Sequence, residues 1–523
     1  MNTWQYFCNH YFRFSSIGLS IDVSKIKGFD NMMTKIRYDP IREAMVNLEN
    51  GSIANRDENR MVGHYWLRNP SIAPSSEIKT AIVELWRDLD RFVQRIHSGD
   101  IQGQNGKFKN ALCIGIGGSA LGPQLAYRAL SRGSADKMAL FFIDNTDPEG
   151  IDLVLAQLNG KLGETLVIVT SKSGETAETR NGMLEVTRAY EAAGLDFNRH
   201  AVAITCENSQ LDQLAKHKDW LKRFPMWDWV GGRTSIASVV GLLPMALQGV
   251  DYKQFLDGMC SIDSLTRDFD ANNPAFLLTI AWCAATDGTG RRAMVILPYK
   301  DRLSLLGNFL QQLIMESIGK KFDHFKCLVE QGLTVYGNKG STDQHAYMQQ
   351  LLEGINNAFV TFIEVLTDRD GTSMWIEKDV TTGDYLEGFL LGTRQALYEN
   401  RRESVTITID RVDAYYLGVL IGLYERTVGF YTSIIHINAY HQPGVEAGKK
   451  AANNILALQK SVLQYLRENA QQSFSAEALS NAVGKGDTEI ETIFKLLEHL
   501  AANHRVKRIP SRPWQQNTYQ YLN

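Results

Sequence analysis

Residues 110 to 122 read Asn-Ala-Leu-Cys-Ile-Gly-Ile-Gly-Gly-Ser-Ala-Leu-Gly, an apolar run that enters a glycine-rich turn and opens a helical pattern. A strand, a tight turn and a helix in that order predict one unit of a parallel sheet, because the helix must pack back on the sheet that holds the strand. Gly115, Gly117 and Gly118 let backbone N–H groups close around a bound group, and the helix N-terminus behind them favours an anion. Ser119 adds a hydroxyl, so the loop suits a phosphate. Gly115, Gly117 and Ala120 also satisfy the dinucleotide pattern G-x-G-x-x-A, with Asp144 closing the next apolar run where a ribose-binding acid belongs. Taken alone, the loop fits a cofactor pyrophosphate as well as a phosphorylated substrate.

The rest of the chain extends the pattern. Short apolar runs at Leu112 to Ile116, Ala139 to Ile143, Leu166 to Thr170, Ala201 to Thr205 and Met226 to Val230 alternate with helical stretches. A second set comes at Ala293 to Leu297, Leu328 to Gln331, Val360 to Leu366 and Val405 to Ile409. Alternation of this kind predicts an α/β fold with two doubly wound parallel-sheet domains, residues 106–285 and 286–455. Residues 1–105 read as a helical, amphipathic N-terminal region, and residues 456–523 as a small winged-helix-like tail. No long Ser/Gly/Pro linker separates the two halves, so they are expected to pack together and share a cleft.

Composition excludes several classes of function. A net charge of -3 over 523 residues provides no general attraction to nucleic acid or to acidic membranes. In the tail, Asp487, Glu489, Glu491 and Glu498 outweigh Lys495 on the helix that a DNA reader would make basic. The six cysteines are scattered, with no CxxC pair, and read as reduced core residues of a cytoplasmic protein. No signal peptide is expected. The longest membrane-like run, Tyr415 to Ile437, is interrupted by Glu425 and Arg426 and is better read as a buried helix.

Several polar residues stand where the pattern alone does not explain them. Ser171-Lys172-Ser173-Gly174-Glu175-Thr176 follows an apolar strand and precedes a helix, placing three hydroxyls and a cation where a phosphate would sit. Glu316 falls in the helical pattern Ser304 to Lys320, and at 100° per residue it projects within about 20° of apolar Phe309, with Gln312 one turn before it. An inward carboxylate can serve as a general base; the plainer reading is a solvated Glu316 to Lys320 pair at i, i+4. Ser341-Thr-Asp-Gln344 fits a capping box that would place His345 in the first turn of a helix, where a neutral imidazole can exchange protons with a hydroxyl or ring oxygen. Arg233 stands after Gly231-Gly232 and before a helix, so an anionic partner is expected, Asp228 being the nearest. Lys449 ends the run Asn438 to Lys449, although Lys450 matches it equally well.

Taken together these motifs resemble the glucose-6-phosphate isomerase family of the sugar isomerase fold. The resemblance rests on Ile114 to Pro123, Ser171 to Thr176, Val230 to Ser235, Gln311 to Lys320, Asp343-Gln-His345 and Gln442 to Lys449, in the family's order across residues 110 to 450. It implies that Ser119, Ser171, Lys172, Ser173 and Thr176 bind the sugar phosphate with help from Gln312 and Gln442, around the loop glycines Gly117 and Gly118. It also implies that Glu316 moves the proton between C1 and C2, that His345 and Lys449 serve ring opening, and that Arg233 stabilises the enediolate. The implied activity is reversible interconversion of glucose 6-phosphate and fructose 6-phosphate in glycolysis and gluconeogenesis. A homodimer with shared active sites is implied too, in which the histidine reaches the partner's site. Proton transfer beside a carbonyl needs a base and a fixed cation and no redox or metal step, so neither cofactor nor metal is expected. Two other readings remain: a non-catalytic phosphosugar sensor, and an isomerase of another phosphosugar such as mannose 6-phosphate.

Overall fold

The computed structural model describes residues 2–267 and 272–522. The chain divides into two compact units, residues 1–441 and 442–523.

The first unit opens with β1 (Tyr11–Phe14) and β2 (Leu19–Lys25), an antiparallel pair. Next come β3 (Asn110–Ile114), β4 (Ala139–Ile143), β5 (Thr165–Thr170), β6 (Ala201–Thr205) and β7 (Lys222–Pro225), which form one parallel sheet in the order β4-β3-β5-β6-β7. These strands are apolar at successive residues because both faces are covered. In β5, Leu166 and Ile168 face the large core while Val167 and Val169 face a smaller one, and Val202 and Ile204 of β6 alternate with Ala201 and Ala203 in the same way. A continuous apolar run is thus the signature of this sheet.

The fifth strand is not where its sequence suggests. Met226 to Val230 is not a strand; β7 takes the more polar residues before it, and Trp227 and Trp229 stack with ring centroids 4.9 Å apart. An edge strand needs a partner on one side only, so β7 can hold its polar residues at the sheet's border.

The second sheet of this unit uses β8 (Ala293–Pro298), β11 (Val335–Tyr336), β12 (Ala358–Val365) and β15 (Ser404–Ile409), all parallel. Between them lie two short antiparallel pairs, β9 (Lys320–Phe322) with β10 (Leu328–Gln331) and β13 (Trp375–Glu377) with β14 (Val380–Thr381). The order is β1-β2-β15-β12-β8-β11, so the sheet is mixed and not wholly parallel. β2 pairs antiparallel with β15, and the N-terminal region therefore contributes strands as well as helices. Leu19, Ile21 and Val23 alternate with Ser20, Asp22 and Ser24, a period of two that marks a strand; Asp22 is buried because Arg394 pairs with it. Leu328 to Gln331 is a strand, but in the β9–β10 pair outside the main sheet, with Leu328 exposed. Its consecutive Glu330 and Gln331 would put a polar side chain on each face of a two-sided core, and the two residues of β11 take the sheet edge instead.

The apolar helix Ala414–Ile434 is buried from Leu417 to Thr432, and its two charged residues form ion pairs there. Arg426 donates to Asp263 and Glu49, and Arg68 to Asp263 and Glu425. Among the described residues no helix is long and apolar enough to cross a membrane.

The second unit starts with the helix Pro443–Glu468 and continues through β16 (Phe474–Ser475), the helices Ala476–Ala482 and Ile490–Ala502, β17 (Val506–Ile509) and β18 (Thr518–Tyr521). Its three strands pair antiparallel in the order β16-β18-β17. Ile493, Leu497 and Leu500 on one helix stripe pack with Val462, Leu466 and Tyr519 into a separate core.

Candidate active site

The glycine loop after β3 is shaped by contacts that a side chain would destroy. Gly117 has φ +59°, in the region that favours glycine, and a Cβ there would stand 3.0 Å from Nε2 of Gln312. At Gly118 a Cβ would fall 1.9 Å from the carbonyl oxygen of Gly232. The helix Gly118–Leu130 starts at this point with no side-chain cap, and Ser119 stands half-buried in its first turn. The loop therefore sits directly against both the Gly231-Gly232-Arg233 segment and Gln312, and the Ser235 hydroxyl, near the carbonyls of Gly118 and Gly232, ties the two loops together.

The second loop leaves the neighbouring strand β5. Ser171 is buried; its hydroxyl accepts the Gly174 N–H at 3.1 Å and donates to the Thr176 hydroxyl at 3.3 Å. Ser173 accepts the Glu175 N–H at 3.2 Å. Lys172 differs from the expectation of a cation aimed at a phosphate: its Nζ donates to the carbonyls of Asp228 and Val230 at 2.7 and 2.9 Å. It ties the hydroxyl loop to the irregular stretch after β7 that leads into Arg233, leaving one of its three N–H donors for an anion. Burial, then the Arg60 charge, lowers its pKa below the ordinary lysine value.

Glu316 and Arg233 meet. Arg233 Nε lies 3.2 Å from Glu316 Oε2, with the arginine side chain 5% exposed and the glutamate 20%. Glu316, and not Asp228, is thus a carboxylate partner of Arg233. The guanidinium also donates to the Ser317 hydroxyl at 3.3 Å and to the carbonyls of Ala439 and His441 at 3.1 and 3.3 Å. Burial lowers the Arg233 pKa, and the Glu316 carboxylate opposes that.

The segment carrying Glu316 is not the uniform helix its periodicity predicts. It is α-helical over Leu306–Leu310, a π-turn over Gln311–Met315 and α-helical again over Glu316–Ile318. The extra residue of the π-turn shifts the helical phase beyond Met315, so Glu316 reaches Arg233 while Gln312 reaches the glycine loop. Lys320 does not form the expected pair with the Glu316 side chain; its Nζ donates to backbone carbonyls.

His345 also differs. Ser341 caps nothing, and residues Thr342–His345 form a single 3-10 turn, the next helix starting only at Met348. The Gln344 N–H that the serine hydroxyl would accept goes to the Ser341 carbonyl instead, and the Asp343 carboxylate takes the N–H groups of Asn338 and Lys339 and the Tyr347 hydroxyl. His345 is exposed, and no hydrogen bond among the described residues joins it to Glu316 or Arg233. Gln442 and Lys449 lie in the second unit, at the start of the helix Pro443–Glu468.

The structure thus brings together Gly117, Gly118, Gln312, Arg233 and Glu316, and sets the loop from Ser171 to Thr176 on the adjacent strand end. Ser317, Lys320 and the carbonyls of Ala439 and His441 were not legible as site residues. Ser317 carries no pattern of its own, and carbonyls carry none at all. No group of three or more His, Cys, Asp or Glu side chains among the described residues is placed to hold a metal ion.

Glycine- and hydroxyl-rich loops at the ends of parallel strands, with a carboxylate paired to a buried arginine close by, define an α/β protein whose strand-end loops are chemically suited to an anion. The sequence profile described as phosphoglucose isomerase matches residues 20–387 and 389–476. A glucose-6-phosphate isomerase of Geotalea daltonii is 55% identical over 509 residues, covering 96% of this chain and 95% of that protein. One from Desulfitobacterium hafniense strain Y51 is 50% identical over 526 residues, 99% of this chain and 98% of its own. The crystal structure of a glucose-6-phosphate isomerase from Chlamydia trachomatis has the same fold, with a TM-score of 0.77 at 24% identity over 87% of this chain and 91% of that one. The chain belongs to the phosphoglucose isomerase family.

Proposed function

We propose that this enzyme interconverts glucose 6-phosphate and fructose 6-phosphate through a cis-enediolate. The observation that carries the reading is the Glu316–Arg233 pair, held at 3.2 Å beside the glycine loop. A carboxylate takes the proton from the carbon next to the carbonyl; the electron pair moves into the new C=C bond and the carbonyl oxygen becomes an oxyanion. The same carboxylic acid then returns the proton to the former carbonyl carbon, while the hydroxyl on the other carbon passes its proton to the oxyanion and becomes the new carbonyl. A fixed guanidinium stabilises the oxyanion without reorganising, and each such group is worth about 10² to 10⁴ in rate. Before substrate binds, the carboxylate occupies the cation that the oxyanion will need.

In this reading Ser119, Ser171, Ser173 and Thr176 bind the phosphate with Gln312 and Gln442, and Lys172 adds its remaining donor. His345 and Lys449 serve ring opening. The exposure of His345, and the exposed apolar residues Phe322, Phe325 and Leu328 on and between β9 and β10, support a homodimer in which the histidine completes the partner's site. Six free cysteines agree with a reducing, cytoplasmic setting. A phosphosugar sensor would leave the buried Arg233–Glu316 pair without a task.

A coupled assay in both directions, with and without a chelator, tests the activity. Turnover of both sugar phosphates at unchanged rates with chelator is expected; no turnover of either refutes the reading. For the shared site, His345→Ala and Glu316→Gln chains are dissociated and mixed. Verified heterodimers are expected to regain activity in one of their two sites, and activity no higher than that of the separate variants would reject it.

A further inference from the structure

Lys320 follows Glu316 by one helical turn, a spacing that ordinarily gives a solvated ion pair. Here it is only 5% exposed, and its Nζ donates to the carbonyl oxygens of Glu316 at 2.6 Å and Ser317 at 2.9 Å. Both carbonyls belong to the last turn before the chain reverses into β9, where backbone N–H partners run out. The carbonyl of Met315 is taken by the Gly319 N–H at 2.8 Å, so the lysine satisfies the next two.

The setting makes those two bonds consequential. Glu316 sits on an α-helical stretch of three residues, with a π-turn on one side and a strand on the other, so no long helix holds its backbone. Arg233 grips the side chains of Glu316 and Ser317, and Lys320 grips the main chain of the same two residues. The lysine keeps this place against its own electrostatics. Burial and the neighbouring Arg233 charge lower its pKa to about 7, with Glu316 and Asp57 opposing the shift. Charged or neutral, its amine has at least two N–H donors for the two carbonyls.

We infer that Lys320 is a positioning residue for the reaction: by binding the carbonyls of Glu316 and Ser317 it fixes the segment that carries the base, and so sets where the Glu316 carboxylate meets the substrate carbon. This rests on Glu316 being the base, and it assigns Lys320 no contact with the substrate.

The test compares wild type, Lys320→Met, Lys320→Arg and Glu316→Gln. Methionine matches the lysine stem in bulk and donates nothing. Lys320→Met is expected to lose about tenfold or more in kcat while KM for the sugar phosphate stays within about twofold, since a misplaced base weakens the transition state and not the phosphate grip. With fructose 6-phosphate deuterated at C1 and glucose 6-phosphate deuterated at C2, the isotope effect on kcat is expected to rise as proton transfer becomes more limiting. Lys320→Arg keeps donors and is expected to recover part of the rate. A merely structural role would lower the melting temperature but leave kcat per folded site and the isotope effect unchanged, and that result overturns the inference. Should Lys320→Met fail to fold, Lys320→Arg decides: its longer, planar head cannot reproduce both bonds, so wild-type kcat and isotope effect in this variant also overturn it. An inactive wild type, or an active Glu316→Gln, would instead refute the underlying isomerase reading.

Discussion

The two sheets of the first unit prepare the site in different ways. The five-stranded sheet is wholly parallel, and its adjacent strands β3 and β5 end directly in the glycine loop and the hydroxyl loop. The six-stranded sheet is mixed, and its contribution comes from a π-containing segment well past the end of β8. Strand-end loops offer N–H groups and short hydroxyls at positions the sheet itself holds, suited to an anion that is bound alike before and after the reaction. The π-containing segment instead delivers two longer side chains, Gln312 to the glycine loop and Glu316 to Arg233, and the exact placement of Glu316 matters in the transition state. Under the proposed function the strand-end loops of the first sheet weigh on KM, and the Arg233–Glu316 pair, with one member from the segment after β7 and one from the π-containing segment, weighs on kcat.

Removing the base tests the second half of that division and carries the largest expected effect. Glu316→Gln keeps shape and polarity, and kcat is expected to fall by at least about 10²-fold with KM nearly unchanged. Steady-state kinetics on the folded variant checks it, and a variant retaining most of its kcat would remove Glu316 from the mechanism.

Gly118→Ala probes the contact between the glycine loop and the segment bearing Arg233. The added methyl would meet the Gly232 carbonyl, so either the glycine loop or the segment bearing Arg233 must move. We expect about 1–3 kcal/mol of destabilisation from overpacking, measured by urea unfolding. A loss of about tenfold or more in kcat/KM should accompany it, shared between kcat and KM because both segments are displaced. Full stability and activity would mean that this contact does not set the site.

Ser171→Ala combined with Thr176→Ala acts on the first sheet alone. Two hydroxyl bonds to a phosphate are lost, and KM is expected to rise about tenfold while kcat changes less. An unchanged KM would place the phosphate elsewhere and break the comparison.

The smallest catalytic effect is expected from removing the tail. Deleting residues 457–523 takes away the separate core around Ile493, Leu497 and Leu500, and is expected to lower the melting temperature or alter assembly without abolishing isomerisation. The intact chain is expected to show no salt-dependent affinity for DNA in a titration at low salt. A folded but inactive truncation would show that the tail helps to build the site.

Much of the first sheet was legible because its rules are local. Continuous apolar runs at Ala139–Ile143 and Ala201–Thr205 are strands with those same bounds, and the glycine loop is a strand-to-helix turn. The second sheet was less legible. β2 carries a clear alternation, but its neighbour β15 lies at the other end of the unit, and a short polar-faced strand next to helices reads as part of them. At the site, the sequence turned Glu316 inward and the structure gives it a buried arginine partner, although through a π-turn that periodicity does not show, whereas Ser341 makes no side-chain cap before His345.

Residue order was enough for whatever acts within a turn or a pleat: the glycines that make the tight strand-to-helix turn, the hydroxyls of the neighbouring loop, the alternation that makes strands, and the succession of motifs that places the chain in its family. Three features came from long-range packing. The second sheet is closed by an antiparallel hairpin, because β15 had an open edge and β2 an apolar face to cover it. Arg233 pairs with Glu316 in preference to nearby Asp228, because burial leaves the guanidinium in reach of that carboxylate. Lys320 turns from the Glu316 side chain to the main chain, because a helix ending inside the core leaves carbonyls that only a buried donor can satisfy.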